Sequence, residues 1–413
     1  MKNLCLALLV ALLGAQAHAV GYAARGECAG FPRVELLTPP GYCVAKVADA
    51  LQGLRLPRRM VEVAPGRFWL TDMGGWEPNR GRLLELTFDA STAAAPKVSI
   101  KPLADKLDRP HGLALGPDGR VYVGEAGRIW RTPVADAVAP QTVIDGLQAD
   151  GAHPLKELVF GVGGQLFVNV GSATDACRSE DGKHPLPCPE GQGERPRAAV
   201  YLAMLGGPDF SLQSFKPWAG GLRNSVALAF VHGPNVLLQG ENSIDYPDAD
   251  EPAEELNLLR EGKHYGWPYC VGTRRAARAY EGRFDCSASE APAMLWPAHV
   301  APLQMIAVPL QPASPAARPF AGRLLVAWHG HRAAGHRVVS FQLDAQGRPR
   351  GAPQPWLSGW QALDGVRPQG APVGLLLDST GRLFVLEDRN RSVLMLVRDA
   401  ARNPQHAPKP LSP

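Results

Sequence analysis

The sequence lacks the short motifs that mark several common enzyme classes. No Gly-x-Gly-x-x-Gly follows a strand and opens a helix, and no phosphate-binding P-loop occurs, so a nucleotide site of either kind is not indicated. A Gly-x-Ser-x-Gly elbow is also absent, which argues against an α/β-hydrolase. The Cys-x-x-Cys spacing typical of zinc sites is missing as well. We therefore expect function to reside in the longer loops between strands.

The chain also has little net charge. Its formal charge is +4 over 413 residues, which is too small to argue for nucleic acid as a partner. Hydrophobic residues make up 45% of the chain and charged residues 20%, a composition that favours a sizeable folded core over disorder.

Only the N-terminus carries a long apolar run. Lys2 precedes the apolar stretch 4–13, and Ala17-His18-Ala19 follows as a cleavage pattern. We interpret residues 1–19 as a signal peptide; a buried strand or an uncleaved anchor is the alternative. The run is shorter than the ~20 residues that span a bilayer, so no transmembrane segment is predicted in the mature chain. The predicted location is periplasmic or secreted.

Cysteine is scarce but falls into local pairs. The sequence has seven cysteines, and Cys5 lies in the predicted signal peptide. An even set in an exported protein suggests disulfides, with a metal site as the competing interpretation. Proximity along the chain predicts the bonds Cys28–Cys43, Cys177–Cys188 and Cys270–Cys286.

One pattern recurs along the chain: an apolar stretch, a glycine-containing turn and a second alternating strand. The clearest copy is RPHGLALGPDGRVYVGEAGRIWRTPV at 109–134. Six copies occur, at 58–75, 109–134, 156–172, 224–242, 303–330 and 372–397. Six copies spread at blade-like spacing over the chain predict an all-β, six-bladed β-propeller of four-stranded antiparallel blades. A β-sandwich is the alternative. We place an N-terminal extension at 20–54, the propeller at 55–400 and a Pro-rich tail at 401–413.

Four segments carry a family resemblance. GLRNSVALAF (221–230) and EELNLLREGKHYGWPYCVG (254–272) resemble the soluble quinoprotein glucose dehydrogenase and L-sorbosone dehydrogenase group, and the strands at 109–123 and 153–172 are similar to that group's blade starts. The resemblance implies an oxidoreductase that uses pyrroloquinoline quinone (PQQ) and Ca²⁺, not NAD. It would oxidise an aldose, a sorbosone-like aldehyde or a polyol and pass electrons to a periplasmic acceptor such as a cytochrome or quinone.

The same resemblance assigns the catalytic residues. It makes His153 the general base, a role that suits a neutral imidazole; a histidine that caps a strand is the alternative. It places Arg223 and Asn224 at the cofactor, where a guanidinium can pair with a carboxylate and stabilise charge that develops on the quinone oxygen.

Further cofactor contacts are expected from His111 and Arg332. In the resembled group the last blade starts with Arg-Pro-Val, whereas this chain has Ala371-Pro372-Val373. Arg367 lies four residues before Ala371 and is the predicted substitute for the missing arginine.

The calcium site is expected in the acidic stretch 241–257. By its offset from the Glu-x-Asn sequence, the resemblance points to Ala249 and Asp250 as ligands, since Ca²⁺ takes oxygen atoms from irregular loops. A solvated acidic loop is the alternative. Two other functions also remain open: a non-catalytic exported propeller that binds sugars or protein, and a calcium-dependent propeller hydrolase of the lactonase type.

Overall fold

A computed structural model describes residues 22–88, 96–135, 140–330, 332–360 and 370–399. The predicted signal peptide and the Pro-rich tail lie outside these ranges. Six antiparallel sheets of at least four strands follow one another along the chain and form a ring. The predicted six-bladed β-propeller is thereby confirmed.

We number the blades 1 to 6 by the chain order of their first strands. Blade 1 consists of Pro57–Ala64, Arg67–Asp72, Gly81–Phe88 and Val98–Leu107; blade 2 of Leu113–Leu115, Arg120–Gly124, Ile129–Pro133 and Gln141–Ile144. Blade 3 consists of Leu158–Phe160, Gln165–Val170, Ala199–Gly206 and Ser211–Gly220; blade 4 of Ala227–Val231, Val236–Glu241, Glu254–Leu259 and Met294–Trp296. Blade 5 consists of Pro302–Ala307, Arg323–Trp328, Arg337–Leu343 and Pro349–Leu357.

Blade 6 joins the two ends of the chain. Its first three strands are Pro372–Leu377, Leu383–Glu387 and Ser392–Arg398, and Tyr42–Ala48 from the N-terminal side pairs with the third. Phe31–Val34 and Glu27–Cys28 extend the sheet outward. Tyr42–Ala48, from the predicted N-terminal extension, is therefore a blade strand and closes the ring, which covers the sheet edge that an open propeller would expose.

Local sequence explains the blade hairpins. In blade 2 the Gly116 amide bonds the Arg120 carbonyl, and Asp118 Oδ1 accepts the Arg120 amide. Gly119 has φ +72°, a conformation that glycine adopts without steric cost. Apolar side chains that alternate along the flanking strands then fill the six boundaries between neighbouring blades.

The long insertions of blades 3 and 4 pack together beside the ring. A hydrophobic cluster there includes Trp267, Tyr269 and Tyr280 together with four cysteines. The three predicted disulfides are confirmed: Cys28–Cys43, Cys177–Cys188 and Cys270–Cys286. A short hairpin of Cys270–Val271 and Arg275–Ala276 also belongs to this flank.

Helical structure in the described ranges consists of short 3₁₀ segments: Ala50–Gln52, Pro189–Gly191, Arg278–Tyr280, Cys286–Ala288 and Pro315–Phe320. Among the described residues, no helix has the length and apolar character needed to cross a membrane.

A buried arginine lies on the axis of the ring. Arg59, on the first strand of blade 1, donates to the carbonyl oxygens of Val373 (2.6 Å), Val226 (3.0 Å) and Leu303. Its Nε donates to Glu157 Oε2 at 2.5 Å. One guanidinium thus ties the inner edges of several blades together, and no solvent reaches its side chain.

Candidate active site

A cavity of about 420 Å³ lies where the inner ends of the blades converge. Its size is within the range of about 300–1,000 Å³ usual for small-molecule sites. Apolar side chains such as Leu56, Val226 and Leu303 form part of its wall. Its polar lining comes from five blades and consists of Arg58, His153, Asn224, His329, Asp388 and Arg389.

His153 lies in this cavity, just before the first strand of blade 3. Its Nδ1 is 3.0 Å from the backbone oxygen of Ser172 and 2.9 Å from that residue's hydroxyl oxygen. The Ser172 hydroxyl donates to the Thr174 carbonyl, so His153 Nδ1 carries the hydrogen and Nε2 has the free lone pair. Burial and then the charge of Arg223 lower the pKa of His153 to about 4. The imidazole is therefore neutral at physiological pH.

Arg223 stands behind the cavity wall. Its guanidinium donates to Asp175 Oδ1 (2.9 Å), the Asn242 carbonyl (2.9 Å) and Asp245 Oδ2 (2.8 Å). These acceptors hold the guanidinium, and the cavity is lined by the next residue, Asn224. Arg223 thus acts on the cavity through its charge and through the position of Asn224.

Other predicted residues lie outside the cavity lining. His111 is fully buried, and its Nδ1 accepts a hydrogen bond of 3.1 Å from Arg58 Nε behind the wall. Arg332 is exposed, and Arg367 lies outside the described residues. Ala249 and Asp250 are exposed on a bend of the blade 4 insertion. Of the predicted residues that the structure describes, His153 and Asn224 line the cavity, His111 and Arg223 lie behind its wall, and Arg332, Ala249 and Asp250 are exposed.

Four of the polar lining residues were not assigned from the sequence, and three of them form one network. His329 Nε2 is 3.0 Å from Asp388 Oδ1, and Arg58 donates to Asp388 Oδ2 at 2.7 Å. Burial alone would raise the pKa of Asp388, but His329 and Arg58 lower it to about 2. Burial lowers the pKa of Arg58 to about 10, so Arg58 stays charged at neutral pH. The available sequence signal was that His329 and Asp388 each directly follow the second strand of a blade.

Arg389 supplies a second guanidinium at the cavity. Its side chain is exposed, and no carboxylate among the described residues pairs with it. Glu387 Oε1 accepts the backbone amides of both Arg389 (2.8 Å) and Ala371 (2.7 Å). The backbone of Arg389 therefore lies close to that of Ala371. Ala371 stands where the resembled group has an arginine.

Comparisons with known proteins agree with this architecture. No family model matches the chain. An uncharacterized protein of Borreliella burgdorferi is 25% identical over 176 residues, which cover 41% of this chain and 45% of that relative. The chain thus matches less than half of that relative's length.

Solved structures match over nearly the whole chain. A Trichoderma reesei protein of Carbohydrate-Active Enzymes family AA12 has a TM-score of 0.70 at 20% identity, covering 91% of this chain and 100% of its own. The PQQ domain of Coprinopsis cinerea pyranose dehydrogenase has a TM-score of 0.66 at 21% identity, with coverages of 89% and 98%. For the Escherichia coli soluble aldose sugar dehydrogenase the TM-score is 0.58 at 16% identity, with coverages of 86% and 99%.

The chain has the fold of the soluble quinoprotein sugar dehydrogenases. This confirms, at the level of fold, the resemblance that the sequence segments indicated. At these identities the chemistry has to be argued from the site itself.

The polar lining of this quinoprotein-fold cavity fits a planar polyanion. Arg389 offers a positive charge that is unpaired within the described residues, and Arg58 adds hydrogen-bond donors although its charge is shared with Asp388; such guanidinium groups bind carboxylates. Trp76 lines the same cavity and is 59% exposed, so its ring can contact a flat ligand. PQQ, which is planar and carries several carboxylates, is compatible with this set of residues.

A second feature next to the cavity fits a cation. Glu241, Glu254 and Glu255 are all buried, and a cavity of about 10 Å³, lined by Glu241, Ser243 and Glu255, lies among them. Burial raises the pKa of Glu241 and of Glu254 to about 8 and that of Glu255 to about 7, and neighbouring carboxylates add to each increase. Room for about one water-sized atom beside carboxylate oxygens suits Ca²⁺.

Proposed function

We propose that this protein is an exported quinoprotein oxidoreductase that oxidises an aldose, a sorbosone-like aldehyde or a polyol, with PQQ and Ca²⁺ as cofactors. The observation that carries this proposal is the cavity on the ring axis, which is lined by His153 and by two arginines that can receive an anionic cofactor. The fold shared with the PQQ domain of a pyranose dehydrogenase supports it.

The charged and the neutral residues of the cavity would have different roles. When bound, PQQ would supply the two-electron acceptor for the reaction. Arg389 and Arg58 would hold its carboxylates, and Asn224 would contribute a neutral hydrogen-bonding group at the same wall. We assign His111 and Arg223 supporting roles, since both lie behind this wall.

His153 would take the proton of the substrate hydroxyl at Nε2. Its Nδ1 is held by Ser172, which fixes the ring orientation and leaves Nε2 as the acceptor. Arg223 disfavours protonation of the ring, so His153 enters the reaction as the neutral base.

Calcium would be held by the buried glutamates near Asn224. Glu241 Oε1 accepts the backbone amides of Arg223 (2.6 Å) and Asn224 (3.3 Å), which links this acidic cluster to the cavity wall. Ala249 and Asp250, the ligands predicted from the sequence, are exposed on the blade 4 insertion and would form the alternative calcium site. A neutral sugar is the expected substrate in the cavity. A periplasmic cytochrome or quinone would then receive the electrons.

Reconstitution tests this proposal. Purified protein is mixed with PQQ and Ca²⁺, and dye reduction is followed with aldoses, aldehydes and polyols, with NAD in place of PQQ as control. We expect turnover only with PQQ, its loss on chelation and its return with Ca²⁺. Binding of PQQ without turnover of any substrate would favour a non-catalytic propeller, and lactone hydrolysis without PQQ would favour the hydrolase.

A further inference from the structure

Two imidazoles line the cavity, and the protein holds them differently. His153 Nδ1 faces the neutral oxygens of Ser172, whereas His329 Nε2 faces the carboxylate of Asp388 at 3.0 Å. In the described part of the chain, His153 Nε2 and His329 Nδ1 have no hydrogen-bond partner. Each ring can therefore present a free lone pair to a ligand.

The two rings also differ in the groups next to them. His329 is in direct contact with the carboxylate of Asp388, an arrangement that fixes the orientation of the ring. His153 lacks such a carboxylate contact, and burial together with Arg223 lowers its pKa to about 4. A proton accepted by His153 at neutral pH must therefore move on.

We propose that His329, oriented by Asp388, is a second proton-transfer residue of the cavity and receives the proton that the substrate hydroxyl loses. This inference rests on the proposed function. The O–H bond of the substrate breaks and its proton passes by way of His153 to His329 Nδ1. The substrate C–H bond would lose its hydrogen with the electron pair, for which bound PQQ would supply the acceptor, and the substrate carbon would become a carbonyl group. The proton then leaves His329 to solvent.

The other charges around His329 define what this pair can do. Arg58 occupies the second oxygen of Asp388, so the carboxylate is fixed between a guanidinium and an imidazole. Arg389 and His153 line the same cavity. Arg58 and Arg389 carry positive charges near His329, whereas Asp388 contacts its ring directly. Replacing Asp388 should therefore change the environment of the His329 ring more than replacing either arginine.

Ring-nitrogen NMR of the cofactor-free protein tests the pairing without any turnover. The ring-nitrogen signals of His329 are identified with His329→Asn and compared between the wild type and Asp388→Asn at one pH. We expect the Nε2 signal of His329 to shift in Asp388→Asn, because this nitrogen loses its carboxylate partner. His232→Asn, which changes an exposed turn histidine, serves as control and should leave the His329 signals as in the wild type. Unchanged His329 signals in Asp388→Asn would overturn the proposal.

Kinetics of the PQQ-loaded protein test the proton transfer. We expect kcat to fall roughly 10²-fold or more in His329→Asn. PQQ affinity and the thermal unfolding midpoint should stay near wild type, and His329→Gln is the second variant should the first fold poorly. The acid limb of the pH–rate profile should also move in Asp388→Asn, which a packing role would not cause. A PQQ-loaded His329→Asn protein with wild-type kcat would refute the role of His329 but leave the proposed function standing. A wild-type protein without PQQ-dependent turnover would refute the proposed function itself.

Discussion

Two arginines show how the ring axis differs from the cavity above it. All five N–H donors of Arg59 are used inside the protein, by Glu157 and by backbone oxygens of several blades. Arg389, at the cavity, is exposed and has no carboxylate partner among the described residues. The first arrangement stabilises the ring, and the second leaves charge available to a ligand. The same residue type thus serves structure in one region and recognition in the other.

The largest effect should follow from removing the axial guanidinium. Arg59→Met leaves the buried Glu157 and several carbonyl oxygens without their donor. Breaking a buried pair in this way typically costs about 3–5 kcal/mol, and we expect that loss in the free energy of unfolding, measured with urea. Arg389→Met is the matched control and should change stability by no more than about 0.5 kcal/mol. Equal losses in the two variants would remove the distinction between the regions.

A smaller effect, on ligand affinity instead of stability, is expected at the cavity. Arg389→Ala should weaken PQQ binding roughly tenfold to a hundredfold, the value of one or two hydrogen bonds to a charged group. Equilibrium dialysis of the cofactor-free protein with PQQ measures this change. Arg391→Ala, two residues away on the same turn and outside the cavity, is the control and should bind like the wild type. A normal affinity in Arg389→Ala would show that this guanidinium does not contact the cofactor.

A further effect, confined to acid conditions, concerns stability. The pKa of His153 is about 4 in the folded protein and about 6.5 in an unfolded chain, so the unfolded state binds more protons between these values. Wild-type stability contributed at this site is therefore lost as pH falls from about 6.5 to about 4. His153→Asn lacks this proton uptake, so its unfolding midpoint relative to wild type should rise across that window. A constant difference between the two proteins would show that His153 is not held neutral by the fold.

The fold was predictable because each blade repeats the same local pattern. The glycine turn at 116–119 and the alternating strands around it can be recognised within some twenty residues, and disulfides such as Cys177–Cys188 join neighbours in the sequence. The strand Tyr42–Ala48 was placed outside the propeller because its partner Ser392–Arg398 lies at the other end of the chain. Ring closure is a long-range event that no local pattern records.

The same reason explains which site residues were found. His153 and Asn224 follow from family-like segments close to them in sequence. The Arg58–Asp388–His329 network joins blades 1, 6 and 5, and Arg58 and Asp388 are 330 positions apart. Only the closed ring brings these side chains together, and the pairing of Arg223 with Asp175 and Asp245 depends on how two long insertions fold.

The most direct test of the account compares PQQ affinity and turnover of wild type and His153→Asn in one preparation. We predict an unchanged dissociation constant for PQQ and a kcat reduced by about 10²–10⁴-fold, as expected when a general base is lost. A His153→Asn protein that binds PQQ and oxidises sugar at the wild-type rate would contradict the central claim that this imidazole performs the first proton transfer in the axial cavity.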